Sequence, residues 1–518
     1  MRWFNTAGPC QLDIHYMLPP LARLPQLQRL IEQRSYFVVH APRQVGKTTA
    51  MLTLAQQLTE TGAYAAVLLS VEAGAPFRDN IDAAEQAILQ DWLGAIRAWL
   101  PPELCPDWQH LQQGSRISQA LQLWAECCPR PLVVLIDEID SLQDEVLIAV
   151  LRQLRSGYSR RPHHFPQSLA LIGLRDVRDY KMAAGSDGIS LNRLNSASPF
   201  NVKVESLTLR NFTLQEVADL YAQHTQATGQ VFTEEAIEFA FELTQGQPWL
   251  VNAIARQMVE VIAPDVRLEI TRAMVVEAKE ILILRRDTHI DSLAERLQER
   301  RVRQIIEPML VGGELGIVPD DDRQFVIDLG LVSRNPLGGL MIANPIYREV
   351  LPRVLSSNTQ DSLPVIQPTW LTPAGELDPD ALLESFLTFW RQHGQPLLKS
   401  VAYYEIAPHI VLMAFLHRVV NGCGTIEREY AIGSDRLDLY LSYRSTVLAM
   451  ELKVWREGEA DPLTKGLKQL DRYLAGLSLD SGWLVIFDQR SQQLKIADRT
   501  STEETQTASG RQVVVIRA

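Results

Sequence analysis

The sequence predicts an α/β protein in which a parallel-sheet domain is followed by a second, separate α/β domain. Three observations lead to this prediction. Residues 26 to about 200 alternate short apolar strands with helical stretches, a glycine-containing loop follows the first strand, and further strands lie beyond a proline-rich stretch at residues 356–379. Strands that are apolar throughout are typical of a parallel sheet with helices on both faces. A chain of 518 residues also exceeds one hydrophobic core, so three or four domains are expected.

Composition and charge exclude several classes of protein. With 46% hydrophobic and 22% charged residues the chain is typical of a soluble protein, and no apolar run approaches the roughly 20 residues that span a bilayer. The N-terminus lacks the apolar core of a signal peptide, and five scattered cysteines predict neither a disulfide framework nor a metal site. The net charge of −12 argues against a protein that coats nucleic acid, but a bound divalent ion and a local basic groove can offset it in a nuclease. We therefore expect a cytoplasmic protein with no membrane partner.

A phosphate-binding loop is predicted directly after the first strand. Such a loop needs glycine for close approach of the backbone to phosphate oxygens, a lysine for the phosphates and a hydroxyl for Mg²⁺. Gly46, Lys47 and Thr48 supply these groups, Thr49 follows, and the helix from residue 48 to 61 presents its positive N-terminus to the phosphates. Ala41 stands where the usual first glycine would be. ATP and Mg²⁺ are therefore the predicted ligands, with Thr48 binding the metal.

A second motif at the end of a later apolar strand supports this prediction. Residues 131–136 deliver Asp137 to the carboxyl end of the sheet, where ligands bind in such folds. Asp137 is expected to hold Mg²⁺, and Glu138 to orient and deprotonate the attacking water. The alternative is that both acids cap the helix that follows an ordinary strand. The remaining predicted strands are residues 36–40, 65–71 and 169–174.

Two further groups are candidates for the same site. Arg175 and Arg178 follow the strand at 169–174, which favours a cationic sensor or arginine finger near the γ-phosphate. The alternative is a pair of surface arginines neutralised by Asp176 and Asp179. Residues 5–10, ahead of the first helix, are expected to line the adenine pocket.

The next part of the chain is predicted to be helical and to end in a hairpin. From Asn211 to about Arg285 the apolar spacing is helical, with a capping box formed by Thr213 and Glu216 and a break at residues 245–248. Residues 325–332 lead into a turn at 335–339 and then into an apolar segment at 340–342. Helices followed by such a hairpin have the shape of a winged helix.

These motifs together resemble the AAA+/STAND-type ATPases, in particular the AAA-like group of bacteria and archaea. The resemblance covers residues 1–355. It implies an ATPase core with its N-terminal segment at residues 1–205, a helical lid at 206–290 in which Pro248 lies near the nucleotide, and a winged helix at 291–355. It also implies a switch with slow turnover that can assemble into a homo-oligomer. A linker at 356–379 and a further domain at 380–518 complete the predicted division.

A second catalytic site is predicted in the last domain. Residues 446–455 form a strand on which Glu451 and Lys453 share one face with apolar neighbours, and Asp438 lies on the partner strand at 436–443. Two carboxylates can bind Mg²⁺ or Mn²⁺, and the lysine can orient the attacking water or stabilise charge at phosphorus. A cross-strand ion pair between Lys453 and either acid is the alternative. Gln469 and Tyr473 on one helix, and Glu405, are further candidates for this site.

This segment resembles the PD-(D/E)XK nuclease superfamily. Asp438, Glu451, Lys453 and Gln469 match its motif residue by residue, whereas Leu437 replaces the proline that often precedes the aspartate. The resemblance implies a restriction-endonuclease-like fold, metal-dependent cleavage and a nucleic-acid partner, with DNA preferred over RNA.

The combined prediction is an ATP-controlled nuclease, with a role in defence or DNA repair. Two other hypotheses remain open at this point. One is a nucleotide-dependent scaffold or signalling switch whose C-terminal domain binds DNA or protein without cleaving it. The other is an AAA+ switch with no nucleic-acid partner.

Overall fold

The computed structural model describes residues 2–518 except for 110, 177–199, 201, 286–295, 298, 311–314, 317, 336–337, 353–367, 401–406, 421–423, 433–434 and 491–492. The chain divides into two compact units. The first comprises Met1–His289 with Pro319–Asn344, and the second comprises Ile290–Val318 with Pro345–Ala518. Within the described residues, no helix has the length and apolar character needed to cross a bilayer.

A parallel sheet forms the centre of the first unit, as the sequence predicts. Its described strands lie in the order β2-β3-β4-β1-β5, and every neighbouring pair is parallel. All four predicted strands are confirmed. The strands are β1 Tyr36–His40, β2 Ala65–Ser70, β3 Leu132–Asp137, β4 Ser168–Gly173 and β5 Glu205–Thr208. The fifth strand was not predicted, because it is a four-residue edge strand with one buried residue and no apolar run.

Helices cover both faces of this sheet, which explains why its strands are apolar throughout. Alternate residues of β1 to β4 enter two separate buried clusters. One cluster contains α1 and α2, and the other contains α3, α4 and α5. These helices are α1 Leu27–Glu32, α2 Lys47–Glu60, α3 Ile81–Trp99, α4 Arg116–Cys127 and α5 Asp144–Ser156.

The helical region that follows has the predicted cap and the predicted break. Thr213 accepts a hydrogen bond from the backbone N–H of Glu216, whose side chain bonds back to the Thr213 N–H, so the capping box is confirmed. The break contains Gln245 and Gly246 in the left-handed region, and Pro248 occupies the first turn of the next helix. The helices are α6 Leu214–Thr228, α7 Glu234–Thr244, α8 Pro248–Gln257 and α9 Arg272–Arg285, with a π-helical turn Met258–Ile262 after α8.

The predicted winged helix is present only as separate elements. The hairpin is formed by antiparallel β6 Val332–Arg334 and β7 Leu340–Ile342. The first half of the apolar stretch at 325–332 belongs to α11, Asp320–Asp328, which carries three acids in its first turn. Helix α10, Arg300–Leu310, falls in the second unit, whereas α11 and the hairpin fall in the first. A single winged-helix domain over residues 291–355 therefore stays a prediction.

A mixed sheet forms the centre of the second unit. Its described strands lie in the order β12-β13-β11-β10-β9-β8, with β10, β11 and β13 parallel to one another. The strands are β8 Gly424–Ile432, β9 Asp435–Tyr443, β10 Thr446–Trp455, β11 Ser481–Asp488, β12 Ser501–Gln506 and β13 Gln512–Arg517. The helices are α12 Pro379–Ser400, α13 Ala407–Val420, α14 Leu463–Leu477 and α15 Ile496–Arg499. One sheet face packs on α12 and α13, and the other packs on α14.

One element of this unit differs from the sequence prediction. Residues 501–510 are expected to form a long hairpin loop, but Ser501–Gln506 is strand β12, antiparallel to β13. Nearly all of its side chains are exposed. The strand is held by backbone hydrogen bonds at the sheet edge, so it shows no apolar alternation that sequence reasoning could detect.

Candidate functional site

The loop between β1 and α2 has the backbone geometry of a phosphate-binding loop. Gly46, the residue before α2, has φ 98°, and Gln44 has φ 59°. Glycine adopts such a φ without the steric cost that a Cβ imposes. The loop therefore brings backbone N–H groups and the positive N-terminus of α2 to one point.

Lys47 directly follows this loop as the first residue of α2. Its Nζ donates hydrogen bonds to the carbonyl oxygens of Ala41, at 2.8 Å, and Pro42, at 2.9 Å. Burial lowers the pKa of Lys47, and the nearby Asp137 carboxylate opposes that shift. The ammonium belongs to a half-buried lysine and donates to two neutral carbonyls, for which phosphate oxygens would be stronger partners.

Thr48 and Asp137 meet at the carboxyl end of β3. The Thr48 hydroxyl donates to Asp137 Oδ2 at 2.8 Å, and Asp137 Oδ1 accepts the Glu138 backbone N–H at 2.9 Å. Burial raises the pKa of Asp137. A hydroxyl and a carboxylate in contact beside a phosphate loop are hard oxygen ligands, so these residues fit Mg²⁺.

Glu138 lies next to this pair in an unusual conformation. Its backbone has φ 58° and ψ 34°, and its Oε2 accepts a hydrogen bond from the Ser70 hydroxyl at 2.9 Å. Burial, with Glu72 nearby, raises the pKa of Glu138 to about 7. A carboxyl with a pKa near neutrality suits a general base.

A cavity of about 410 Å³ opens beside these residues. Its volume falls within the range of roughly 300–1,000 Å³ that small-molecule pockets occupy. The N-terminal segment from Asn5 to Cys10 lines it, where the sequence placed an adenine pocket, and Pro248 and Trp249 of α8 line it from the lid. Trp249 Nε1 donates to the Thr6 carbonyl at 2.8 Å, which attaches the N-terminal segment to the lid. Of the predicted loop residues, the wall contains Gly46, Lys47, Thr48 and Thr49, and Thr49 Oγ1 accepts the Cys10 N–H at 3.1 Å.

Of the two predicted arginines, the structure describes only Arg175. The Arg175 guanidinium stacks over the ring of Phe325 at 5.1 Å from its centroid, and Arg175 is not among the described residues of the cavity wall. Asp176, the partner that the alternative interpretation gave it, forms a buried ion pair with Lys203. Arg178 lies outside the described residues.

Arg23 is a cavity residue that sequence reasoning missed. Its guanidinium donates to the carbonyls of Arg210, at 2.8 Å, and Val45, at 3.1 Å, and lies 4.8 Å from the centroid of the Phe212 ring. It occupies a short 3-10 helix, Pro20–Arg23, which belongs to no motif. Only the fold brings this arginine to the phosphate loop.

Three of the predicted residues of the second site, Asp438, Glu451 and Lys453, lie together on the α14 face of the second sheet. Lys453 Nζ lies 2.5 Å from Glu451 Oε1 and 3.9 Å from Asp438 Oδ2. The Leu452 backbone N–H donates to Asp438 Oδ2 at 2.8 Å. The face assignment is confirmed, since Leu448, Met450 and Leu452 belong to one buried cluster and Ala449 to the other.

Burial of the Glu451 carboxyl group at this position is energetically costly. It is 1% exposed, and its Oε2 has no hydrogen-bond partner among the described residues. Burial, followed by the charge of Asp438, raises the pKa of Glu451 to about 8, although Lys453 opposes the shift. A bound cation would relieve both the repulsion and the unpartnered oxygen.

The fit of a metal to this site rests on two carboxylates. Within the described ranges, no group of three or more Asp, Glu, His or Cys side chains is placed to hold a metal ion. Glu405, the third predicted ligand, lies outside these ranges. Mg²⁺ is commonly held by one or two carboxylates with water and phosphate oxygens as its other ligands, so Asp438 and Glu451 fit it. Gln469 of α14 has a buried Oε1 without a described partner.

Comparisons with known proteins agree with the first site. The profile of the AAA-like domain family matches residues 15–269, which contain the parallel sheet, the phosphate loop and most of the lid. No curated protein matches the sequence.

Similarities to solved structures extend over a comparable part of the chain. A Walker-type ATPase of Pyrococcus abyssi is 13% identical, with 67% of this chain and 99% of that chain covered and a TM-score of 0.44. Cdc6p from Pyrobaculum aerophilum is 13% identical, with coverage of 70% and 98% and a TM-score of 0.37. The Holliday junction branch migration motor RuvB of Thermotoga maritima is 14% identical, with coverage of 62% and 89% and a TM-score of 0.33.

Proposed function

We propose, from the premise that residues 15–269 form an AAA-like P-loop domain, that this protein binds and hydrolyses ATP and that ATP controls a metal-dependent nuclease in its C-terminal domain. The contact between Thr48 and Asp137, beside Lys47 in the cavity wall, carries the ATPase part of the proposal. The convergence of Asp438, Glu451 and Lys453 carries the nuclease part.

At the first site each residue has a distinct role. The backbone of the loop, Lys47 and the N-terminus of α2 bind the phosphates, and Thr48 and Asp137 hold Mg²⁺. The metal, when bound, neutralises charge on the phosphates. Glu138 takes a proton from the attacking water, which requires its ionised form.

At the second site the substrate is nucleic acid, with DNA preferred over RNA. Asp438 and Glu451 would hold Mg²⁺ or Mn²⁺, which would polarise the scissile phosphate. Lys453 orients the attacking water or stabilises charge that develops at phosphorus. Gln469 is placed on the helix that covers this face and can contact the substrate. A role in defence or DNA repair belongs to the same proposal.

Nuclease activity is tested with plasmid, linear duplex, single-stranded DNA and RNA, each with Mg²⁺ or Mn²⁺ and with or without ATP. We expect metal-dependent cleavage that Lys453→Ala reduces by at least about 100-fold, because removing one electrostatic donor at a developing charge costs roughly 10²–10³ in rate. Lys495→Ala, which removes an exposed lysine of the same unit, is the matched control and should cleave at the normal rate. Cleavage that persists in Lys453→Ala would refute the site.

A second candidate function has a specific observation in its favour. Lys453 Nζ lies 2.5 Å from Glu451 Oε1, which is also the geometry of an ion pair within strand β10 that has no catalytic function. The chain would then be a nucleotide-dependent scaffold or switch that binds DNA or protein. Binding of the same DNAs without cleavage in any metal would favour this function, and absence of nucleic-acid binding would favour a switch without such a partner.

A further inference from the structure

The cavity wall contains a second cationic side chain, Arg23, in addition to Lys47. Arg23 lines the wall, and among the described residues no carboxylate lies within ion-pair distance of its guanidinium. Glu216, the acid with the largest effect on it, is bonded to Arg210 instead, at 2.6 and 2.9 Å. Burial lowers the pKa of Arg23 to about 10, so the side chain is charged at neutral pH.

The charge and geometry of Arg23 suit an anion. A guanidinium has five N–H donors, and only two carbonyl acceptors bind it here. Glu138 is the one acidic residue of the described wall, whereas Arg23 and Lys47 are both cationic. A partly buried cation without a carboxylate partner, next to a phosphate loop, is favourably neutralised by phosphate oxygens.

Arg23 also connects the phosphate loop to the start of the lid. It donates to Val45 within the loop and to Arg210, which precedes α6, and it stacks on Phe212. The Phe212 N–H in turn donates to the Gly246 carbonyl at 2.8 Å, in the break between α7 and α8. The Arg23 side chain therefore contacts both the phosphate loop and the segment before α6. That segment is in turn hydrogen-bonded to the break between α7 and α8.

We propose that Arg23 is a phosphate-binding residue of this cavity and the positioning residue through which a bound nucleotide sets the lid. Its ligand class is a nucleoside di- or triphosphate. The proposal rests on the proposed ATP binding. When a nucleotide binds, the Arg23 guanidinium donates hydrogen bonds to its phosphate oxygens. Its contacts with the Arg210 carbonyl and the Phe212 ring then change, and this change moves α8 and the cavity residue Trp249 on it.

The test measures nucleotide affinity and lid position in the full-length protein. Affinity is measured with a fluorescent ATP analogue and with unlabelled ATP and ADP as competitors. Lid position is followed by the fluorescence of Trp249, which is the part of the tryptophan emission that is lost in Trp249→Phe. Arg29→Gln is the matched control, because Arg29 is exposed, pairs with Glu205 and does not line the cavity.

We expect Arg23→Gln to weaken ATP and ADP binding about 10- to 100-fold, the effect of losing hydrogen bonds from a charged donor. At saturating ATP this variant should also lack the Trp249 emission change. Arg23→Lys should recover part of the affinity but not the emission change, since lysine keeps the charge without the planar fork. Arg29→Gln should behave as the unmodified protein.

Two outcomes separate this inference from the proposed function. If the unmodified protein binds no ATP, the proposed function fails. If it binds ATP and Arg23→Gln binds with the same affinity and emission change, the inference alone is wrong. Should Arg23→Gln not fold, Phe212→Leu keeps the guanidinium and removes the ring beneath it. That variant should show a reduced emission change at ATP concentrations that saturate it, and an unaltered change would overturn the link to the lid.

Discussion

Glu138 combines a strained backbone conformation with a carboxyl group that is placed to act as a general base. Its left-handed backbone costs of order 1–3 kcal/mol for a residue with a Cβ, and such strain persists only where surrounding structure imposes it. Here β3 ends at Asp137, whose carboxylate accepts the Glu138 N–H, and the Ser70 hydroxyl holds the side chain. The strained conformation places a carboxyl with a raised pKa in the cavity wall.

The pH dependence of ATP hydrolysis follows from this pKa. Burial raises the pKa of Glu138 to about 7, so the carboxyl is mostly protonated at pH 6 and mostly ionised at pH 8. Since a general base acts in its ionised form, turnover at saturating ATP and Mg²⁺ should rise roughly tenfold over this interval. Glu138→Gln should bind ATP without hydrolysing it. Normal turnover by Glu138→Gln, or a rate that falls as pH rises from 6 to 8, would exclude the assigned role.

At the scale of elements, the break between α7 and α8 determines where the lid meets the cavity. Gly246 has φ 68°, and a Cβ on it would lie 1.9 Å from the Phe212 carbonyl oxygen. Close approach of these two backbones therefore requires glycine. The next helix starts at Pro248, which places Pro248 and Trp249 in the cavity wall.

Two alanine substitutions separate backbone conformation from close packing. Gly229, which ends α6, has φ 82° and open space around its Cβ position, so Gly229→Ala should destabilise the protein by about 1–2 kcal/mol. Gly246→Ala adds a clash with Phe212 and should cost at least about 1 kcal/mol more, with weakened ATP binding. Thermal unfolding and nucleotide titration measure both effects. Equal effects of the two substitutions would show that the contact with Phe212 is unimportant.

At the scale of the whole molecule, the two candidate sites belong to different units. The phosphate loop, Asp137 and Glu138 lie in the first unit, and the cluster of Asp438, Glu451 and Lys453 lies in the second. The two clusters share no residue. The control that we propose therefore does not rest on a residue common to both clusters.

Variants of the two lysines test that control. Lys47→Ala should lose at least about 100-fold in ATP affinity, because it removes a half-buried cation at the phosphate site. If ATP controls the nuclease, ATP should change the cleavage rate of the unmodified protein and leave that of Lys47→Ala unchanged. Lys453→Ala should still bind ATP normally while it fails to cleave. A cleavage rate in Lys47→Ala that responds to ATP as the unmodified protein does would refute control through this site.

The accuracy of the sequence predictions depends on how local their signals are. Strands β1 to β4 of the first sheet and the Thr213 capping box follow from apolar runs and short spacings, and the structure confirms them. Strand β5 and strand β12 were missed because edge strands need few buried side chains. The arginine of the cavity wall was also missed, since Arg23 lies 22 positions before its loop partner Val45 and belongs to no motif.

The sequence by itself determined an α/β protein with a phosphate loop, a carboxylate pair at the carboxyl end of β3 and the alternating face of β10. These features depend on residues a few positions apart or on the two-residue period of a strand. They can therefore be predicted from spacing and periodicity in the sequence. Tertiary structure alone decided that Arg23 lines the cavity, that Arg175 lies over the Phe325 ring, and that Glu451 is buried beside Asp438. Such contacts join segments far apart in the chain, and their energies depend on burial and distance, which arise only when the segments pack.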